Sequence, residues 1–192
     1  MTAKVDLGPA ARRLAELLGG ITDEQLTAPT PCPEYRLGDL LEHVSGLAWA
    51  FTDAAAKTPG SGGQPPAGDA SRLSPDWRTG IPEQLAALAR AWTEPAAWEG
   101  LTRAGGVELP AEVMGMVALN ELVVHGWDVA RASGQPYTAD QASLEVSLQI
   151  VTPEEDGGSN GPFGPPVPVP ADASLQDRVI GLSGRDPAWS AN

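Results

Sequence analysis

The chain has two histidines, His43 and His125. His125 stands in "NELVVHGWDVARAS", residues 120–133, four places after Glu121. Positions i and i+4 of a helix lie about 40° apart around the axis and about 6 Å apart along it. A carboxylate oxygen and an imidazole nitrogen from adjacent turns can then share one divalent cation at about 2.0–2.2 Å. A third ligand has to come from another element, and His43, in "GDLLEHVSG", is the only other imidazole. Two histidines and one glutamate leave at least one coordination position open, the pattern of a catalytic site rather than a structural one. The donor set suits Zn²⁺ and is compatible with Ni²⁺ or Fe²⁺. Asp39 lies one turn before His43 and Asp128 three residues after His125. Each is placed to orient a ligand imidazole through its second nitrogen. Glu42 points about 100° away from His43 and reads as solvated. Taken alone, a Glu four before a His is more often an ordinary polar pair on a helix. The His-Glu-x-x-His pattern of zinc peptidases is absent.

The elements that must carry these residues are helices. "LGPAARRLAELLG" (7–19) places Leu7, Ala10, Ala11, Leu14, Leu17 and Leu18 on one stripe. "APTPCPEYR" (28–36), with three prolines, must be an extended loop. The next helix covers 37–57, with Leu37, Leu40, Leu41, Val44, Leu47, Ala48 and Phe51 inward and His43 beside that stripe. Residues 58–74 are a Gly/Pro/Ser connection. A third helix is expected from Pro82 to Trp92, and toward Trp98 if it continues. Gly105-Gly106 marks a small hairpin or irregular turn. A fourth helix spans about 110–133, between Pro110 and Gly134, and a fifth about 138–151. Residues 152–192 form a proline-rich arm ending in a short helix, Leu175 to Leu182. The expected architecture is an all-α bundle over 1–151, with 152–192 packed on or near it.

Composition narrows the partners. A net charge of −13 would repel a phosphate backbone or an anionic membrane, so neither nucleic acid nor a lipid surface is expected. No apolar run reaches membrane-spanning length. The first residues lack a secretory pattern, and the single cysteine, Cys32, cannot form an internal disulfide, so a cytoplasmic location is expected. Cys32 reads as a small, partly buried thiol of the proline-rich loop, since nothing nearby in sequence would depress its pKa. Trp49, Trp92 and Trp127 fall at core spacing; Trp77, Trp98 and Trp189 fall near loops, where they could line a pocket mouth. Arg131 faces away from the ligand side. Arg178 and Arg185 would be anion contacts if the arm folds over the site.

"TPCPEYRLGDLLEHVSG" followed by "NELVVHGWDVARASG" resembles the DinB/YfiT-like metal-binding superfamily. The nearest branch is that of the N-terminal domain of mycothiol-dependent maleylpyruvate isomerase. The motif residues are Thr30, Pro31, Cys32, Tyr35, Asp39, His43, Glu121, His125, Trp127 and Asp128. Tyr35 stands where Trp is common, and the arm resembles that of a compact subgroup without the isomerase's C-terminal domain. The resemblance implies a four-helix bundle with a divalent metal, often zinc, held by His43, Glu121, His125 and water. It also implies a low-molecular-weight thiol such as mycothiol as cosubstrate and a small-molecule electrophile as its target, on a monomer or homodimer. A thiol S-transferase or isomerase is therefore expected. The alternatives are a non-catalytic metal- or ligand-binding accessory or stress module, and a metal-free helical interaction protein.

Overall fold

A computed structural model describes residues 5–58, 67–153 and 164–191. The described residues form six helices: α1 (Gly8–Leu18), α2 (Leu37–Ala56), α3 (Trp77–Ala91), α4 (Ala111–Ser133), α5 (Gln141–Val151) and α6 (Leu175–Leu182). One hairpin, β1 (Leu101–Ala104) with β2 (Val107–Pro110), is inserted before α4. The fold is all-α apart from this hairpin.

α1 and α2 each pack against both α3 and α4, so the four close into a ring in the order α1, α3, α2, α4. α5 lies on α4 outside this ring, and α6 on α5. α4 is thereby covered on two sides, and every residue from Leu122 to Ala130 is buried. A helix surrounded in this way must be apolar all round, which "LVV" and "VA" supply on either side of the motif. Gly126 admits Tyr137, whose hydroxyl lies 2.9 Å from where a Cβ would stand and donates to the Val123 carbonyl at 3.0 Å.

α3 begins one and a half turns before the expected Pro82. The proline sits inside the helix and leaves the Arg78 carbonyl without its usual amide. The first turn holds because Trp77 and Ile81, at i and i+4, are both buried. Arg78 also stacks 4.1 Å over the Trp77 ring and pairs with Asp23 at 2.8 Å. Trp77 is thus a core residue and not part of a pocket mouth. Trp49 departs in the other direction. It is 60% exposed, because it follows Ala48 by 100° and leaves the buried stripe of α2. Trp92 is buried as expected, its Nε1 donating to the Phe51 carbonyl at 3.0 Å. Trp98 belongs to a separate 3₁₀ turn (Pro95–Trp98) and meets Trp92 edge to face at 4.9 Å.

The hairpin turns at Gly105 and Gly106, both with positive φ, as a two-residue primed turn requires. Thr102 ties it to α2 by donating to the Ala54 carbonyl. The described end of the Gly/Pro/Ser connection, residues 67–74, contains a 3₁₀ turn (Ala70–Arg72) packed on α2. The described end of the arm runs back along α6, with the Val167 amide donating to the Gly181 carbonyl at 2.8 Å. Among the described residues no helix is long and apolar enough to cross a membrane.

Candidate metal centre

α2 and α4 are neighbours in the ring, and they bring His43 to Glu121 and His125. One ligand atom from each of the three lies within 4.8 Å of the others. Ligands at about 2.1 Å around a tetrahedral cation stand about 3.4 Å apart, so small side-chain movements would bring these three donors onto a common centre. His125 Nε2 lies 3.0 Å from Glu121 Oε2, and the His43 and His125 rings meet edge to face with centroids 5.1 Å apart. His125 is 5% exposed.

Behind His125 stands a buried chain of charge. Its Nδ1 lies 3.1 Å from Asp128 Oδ2, and the same oxygen accepts from Arg185 Nη2 at 3.2 Å. Asp128 is fully buried. Arg185 follows α6, so the arm contributes a side chain to the site. Its Nη1 donates to the Ser183 carbonyl at 2.8 Å, while its Nε is buried with no hydrogen-bond partner among the described residues. A carboxylate on Nδ1 fixes the imidazole's rotation and tautomer and leaves Nε2 to a ligand.

The two imidazoles have opposite electrostatic settings. Burial alone would lower the pKa of His125, but its hydrogen bonds to Asp128 and Glu121 and the charges of both carboxylates raise it to about 9. Burial lowers that of His43 to about 4, helped by the neighbouring His125 charge and opposed by Glu121. For Glu121, burial works against ionisation, yet the His125 hydrogen bond and charge outweigh it and keep the carboxyl below its ordinary range. Near neutral pH the metal-free centre therefore holds a neutral His43 and an imidazolium at His125 between two carboxylates.

The flanking residues divide. Asp39 does not reach either imidazole with its hydrogen bonds. Its Oδ1 accepts from the Ala70 amide at 2.8 Å and its Oδ2 from the Arg36 amide at 3.1 Å. Glu42 is not simply solvated. It accepts from the Asp69 amide at 3.1 Å and pairs with Arg72 at 3.0 Å. Cys32 is buried, and desolvation raises its thiol to about 11 despite the opposing Arg185 charge, which suits a packing role and not a nucleophile. Arg131 lies 5.6 Å from the Trp127 ring centroid and donates to the Trp189 carbonyl, away from the centre. Arg185 carried only a weak sequence signal, because 57 residues separate it from Asp128. The "GDASR" segment (68–72) gave none, since its bonds to α2 exist only after folding.

The helical bundle places the chain in the DinB-like fold class. Within it, the chain belongs to the family of the mycothiol maleylpyruvate isomerase N-terminal domain, whose model matches residues 7–130. Two relatives from Mycobacterium tuberculosis are similar over 176 residues. They are uncharacterized protein Rv0738 of strain ATCC 25618 / H37Rv and uncharacterized protein MT0763 of strain CDC 1551 / Oshkosh. Each is 27% identical, with 89% of this chain and 91% of the relative covered. A crystal structure of a mutant of mycothiol-dependent maleylpyruvate isomerase superposes with a TM-score of 0.58 at 19% identity. The match covers 76% of this chain and 67% of that one, and it speaks for the shared fold.

Proposed function

We propose that the chain is a divalent-metal enzyme, with zinc as the resident ion, that activates a low-molecular-weight thiol of the mycothiol type for S-transfer or thiol-assisted isomerisation. The observation that supports this most is the convergence of His43, Glu121 and His125 on one point with Asp128 hydrogen-bonded behind His125. The family to which the chain belongs adds mycothiol as the thiol of choice. A bound divalent cation supplies Lewis acidity that favours the thiolate form of a thiol beside it. The chain's own residues do the remainder. His43 and Glu121 offer a neutral nitrogen and an anionic oxygen without first losing a proton. His125 keeps Nε2 forward because Asp128 holds Nδ1. Arg185 anchors Asp128 and adds positive charge beside the centre, which favours an anionic reactant there. The single cysteine and the absence of membrane-spanning helices among the described residues fit a cytoplasmic enzyme acting on a small electrophile.

The test is thiol-dependent consumption of a generic electrophile by zinc-loaded protein. Turnover should saturate with mycothiol and be lost in Glu121→Gln. If no thiol binds at millimolar concentration, the transferase and isomerase readings both fail, and a metal-binding module without turnover takes their place.

A further inference from the structure

The two histidines of the centre are not held in the same way. His125 is rotationally fixed by Asp128 at 3.1 Å. Among the described residues no side chain hydrogen-bonds the His43 ring. What lies against His43 is the Tyr35 ring, tilted by 35° with its centroid 5.0 Å away. Tyr35 is itself constrained at both ends. Its carbonyl accepts from the Thr30 hydroxyl at 2.8 Å, within a loop closed by a backbone bridge between Pro29 and Arg36. Its own hydroxyl accepts from the Gly68 amide at 3.4 Å.

Gly68 opens a backbone strap, residues 68–72, that α2 holds with acidic side chains. Asp39 takes the Ala70 amide, Glu42 takes the Asp69 amide, and Glu42 also receives Arg72 through Nε at 3.2 Å and Nη2 at 3.0 Å. The strap passes so close to α2 that a Cβ on Gly68 would stand 2.4 Å from the Asp39 carbonyl oxygen and 3.0 Å from His43 Cβ. Only glycine fits there. Asp39 and Glu42 therefore hold this segment against α2 beside His43, the residue that follows Glu42.

We propose that Tyr35 is a positioning residue for His43, an aromatic plate kept in place by the 68–72 strap. It does for His43 what the Asp128 hydrogen bond does for His125. This rests on the reading of His43, Glu121 and His125 as a metal centre. An imidazole without a second-nitrogen partner spends fewer of its conformations facing the other ligands, and the plate removes the competing rotations. The arrangement also ties the centre to the connection between α2 and α3, because loosening the strap releases the plate.

The test compares the parent protein with Tyr35→Ala, Tyr35→Trp and Glu42→Gln. Zinc affinity is read by competition with a chromophoric chelator, and the His43 ring by NMR in the metal-free protein, where only two histidines contribute. Removing the ring in Tyr35→Ala should weaken zinc binding about tenfold, the low end of the loss seen when groups behind a ligand are removed. It should also shift the His43 ring resonances while leaving those of His125 in place. Tyr35→Trp should restore both to near the parent. Glu42→Gln, which leaves the ring intact and weakens its support, should give a smaller loss in the same direction. Tyr35→Ala with zinc affinity within twofold of the parent and unmoved His43 resonances overturns the proposal. A parent protein that takes up no zinc overturns the metal centre instead. The His43 resonances then still decide whether Tyr35 holds the ring.

Discussion

At His125 two carboxylates converge on one imidazole, which the proposed metal would also need. Glu121 and Asp128 hold its proton to about pH 9, so a metal must displace that proton to reach Nε2. The sign follows from the raised pKa. Below about 9 the proton competes, and zinc affinity should fall roughly tenfold for each pH unit toward neutrality. His43, lowered to about 4, stays neutral through the same range and adds no such dependence. In the metal-free protein the same shift acts on folding. The favourable pairing is fully present below the ordinary histidine value and is lost as pH rises through about 9. Chelator competition between pH 6 and 9 checks the first expectation; a flat affinity profile would contradict the paired imidazolium. Glu121 and His125 were legible as a pair because helical spacing is local information. Arg185 was legible only as an anion contact conditional on the arm's folding over the site, and the strap not at all, because the contacts that define them join residues far apart in sequence.

The helices explain why the pair becomes a site. α4 is central, and glycine admits close neighbours to it at Gly115 and Gly126. A Cβ on Gly115 would stand 2.5 Å from the Trp98 ring and 2.7 Å from the Trp92 ring. The Trp92–Trp98 pair lies against Gly115 of α4 and the Phe51 carbonyl of α2, with Trp98 Nε1 donating to the Trp92 carbonyl at 2.7 Å. Trp92→Ala should cost about 3–5 kcal/mol, since it opens a cavity and removes the indole hydrogen bond to the Phe51 carbonyl. Urea unfolding with an unchanged m value would measure it. The apolar stripes and the stops at Pro110 and Gly134 placed α1, α2 and α4 within a residue or two of their observed ends. α3 was misplaced because a proline in the second turn looks the same in sequence as one at the start. Burial of Trp77 decided between them, and burial is tertiary information.

For the whole molecule, the arm matters as more than a tail. The expectation that residues 152–192 pack on or near the bundle concerned position only. In the structure α6 lies on α5, and Arg185 reaches Asp128 behind His125. Val179 and Ile180 are fully buried. Ile180→Ala should therefore destabilise the protein by about 2–5 kcal/mol. It should lower the midpoint of a single thermal transition, because an arm whose core is shared with the bundle unfolds with it. A separate early transition for the arm would show that the bundle stands apart from it. The likeness to the isomerase lies in the fold, and the chemistry proposed here stands on three side chains. The most direct test is metal analysis of protein purified without a metal-affinity tag, beside His43→Ala and His125→Ala. The expected result is about one equivalent of a divalent metal in the parent and a large loss in either variant. Less than about a tenth of an equivalent in the parent, unchanged by His125→Ala, would contradict the metal centre.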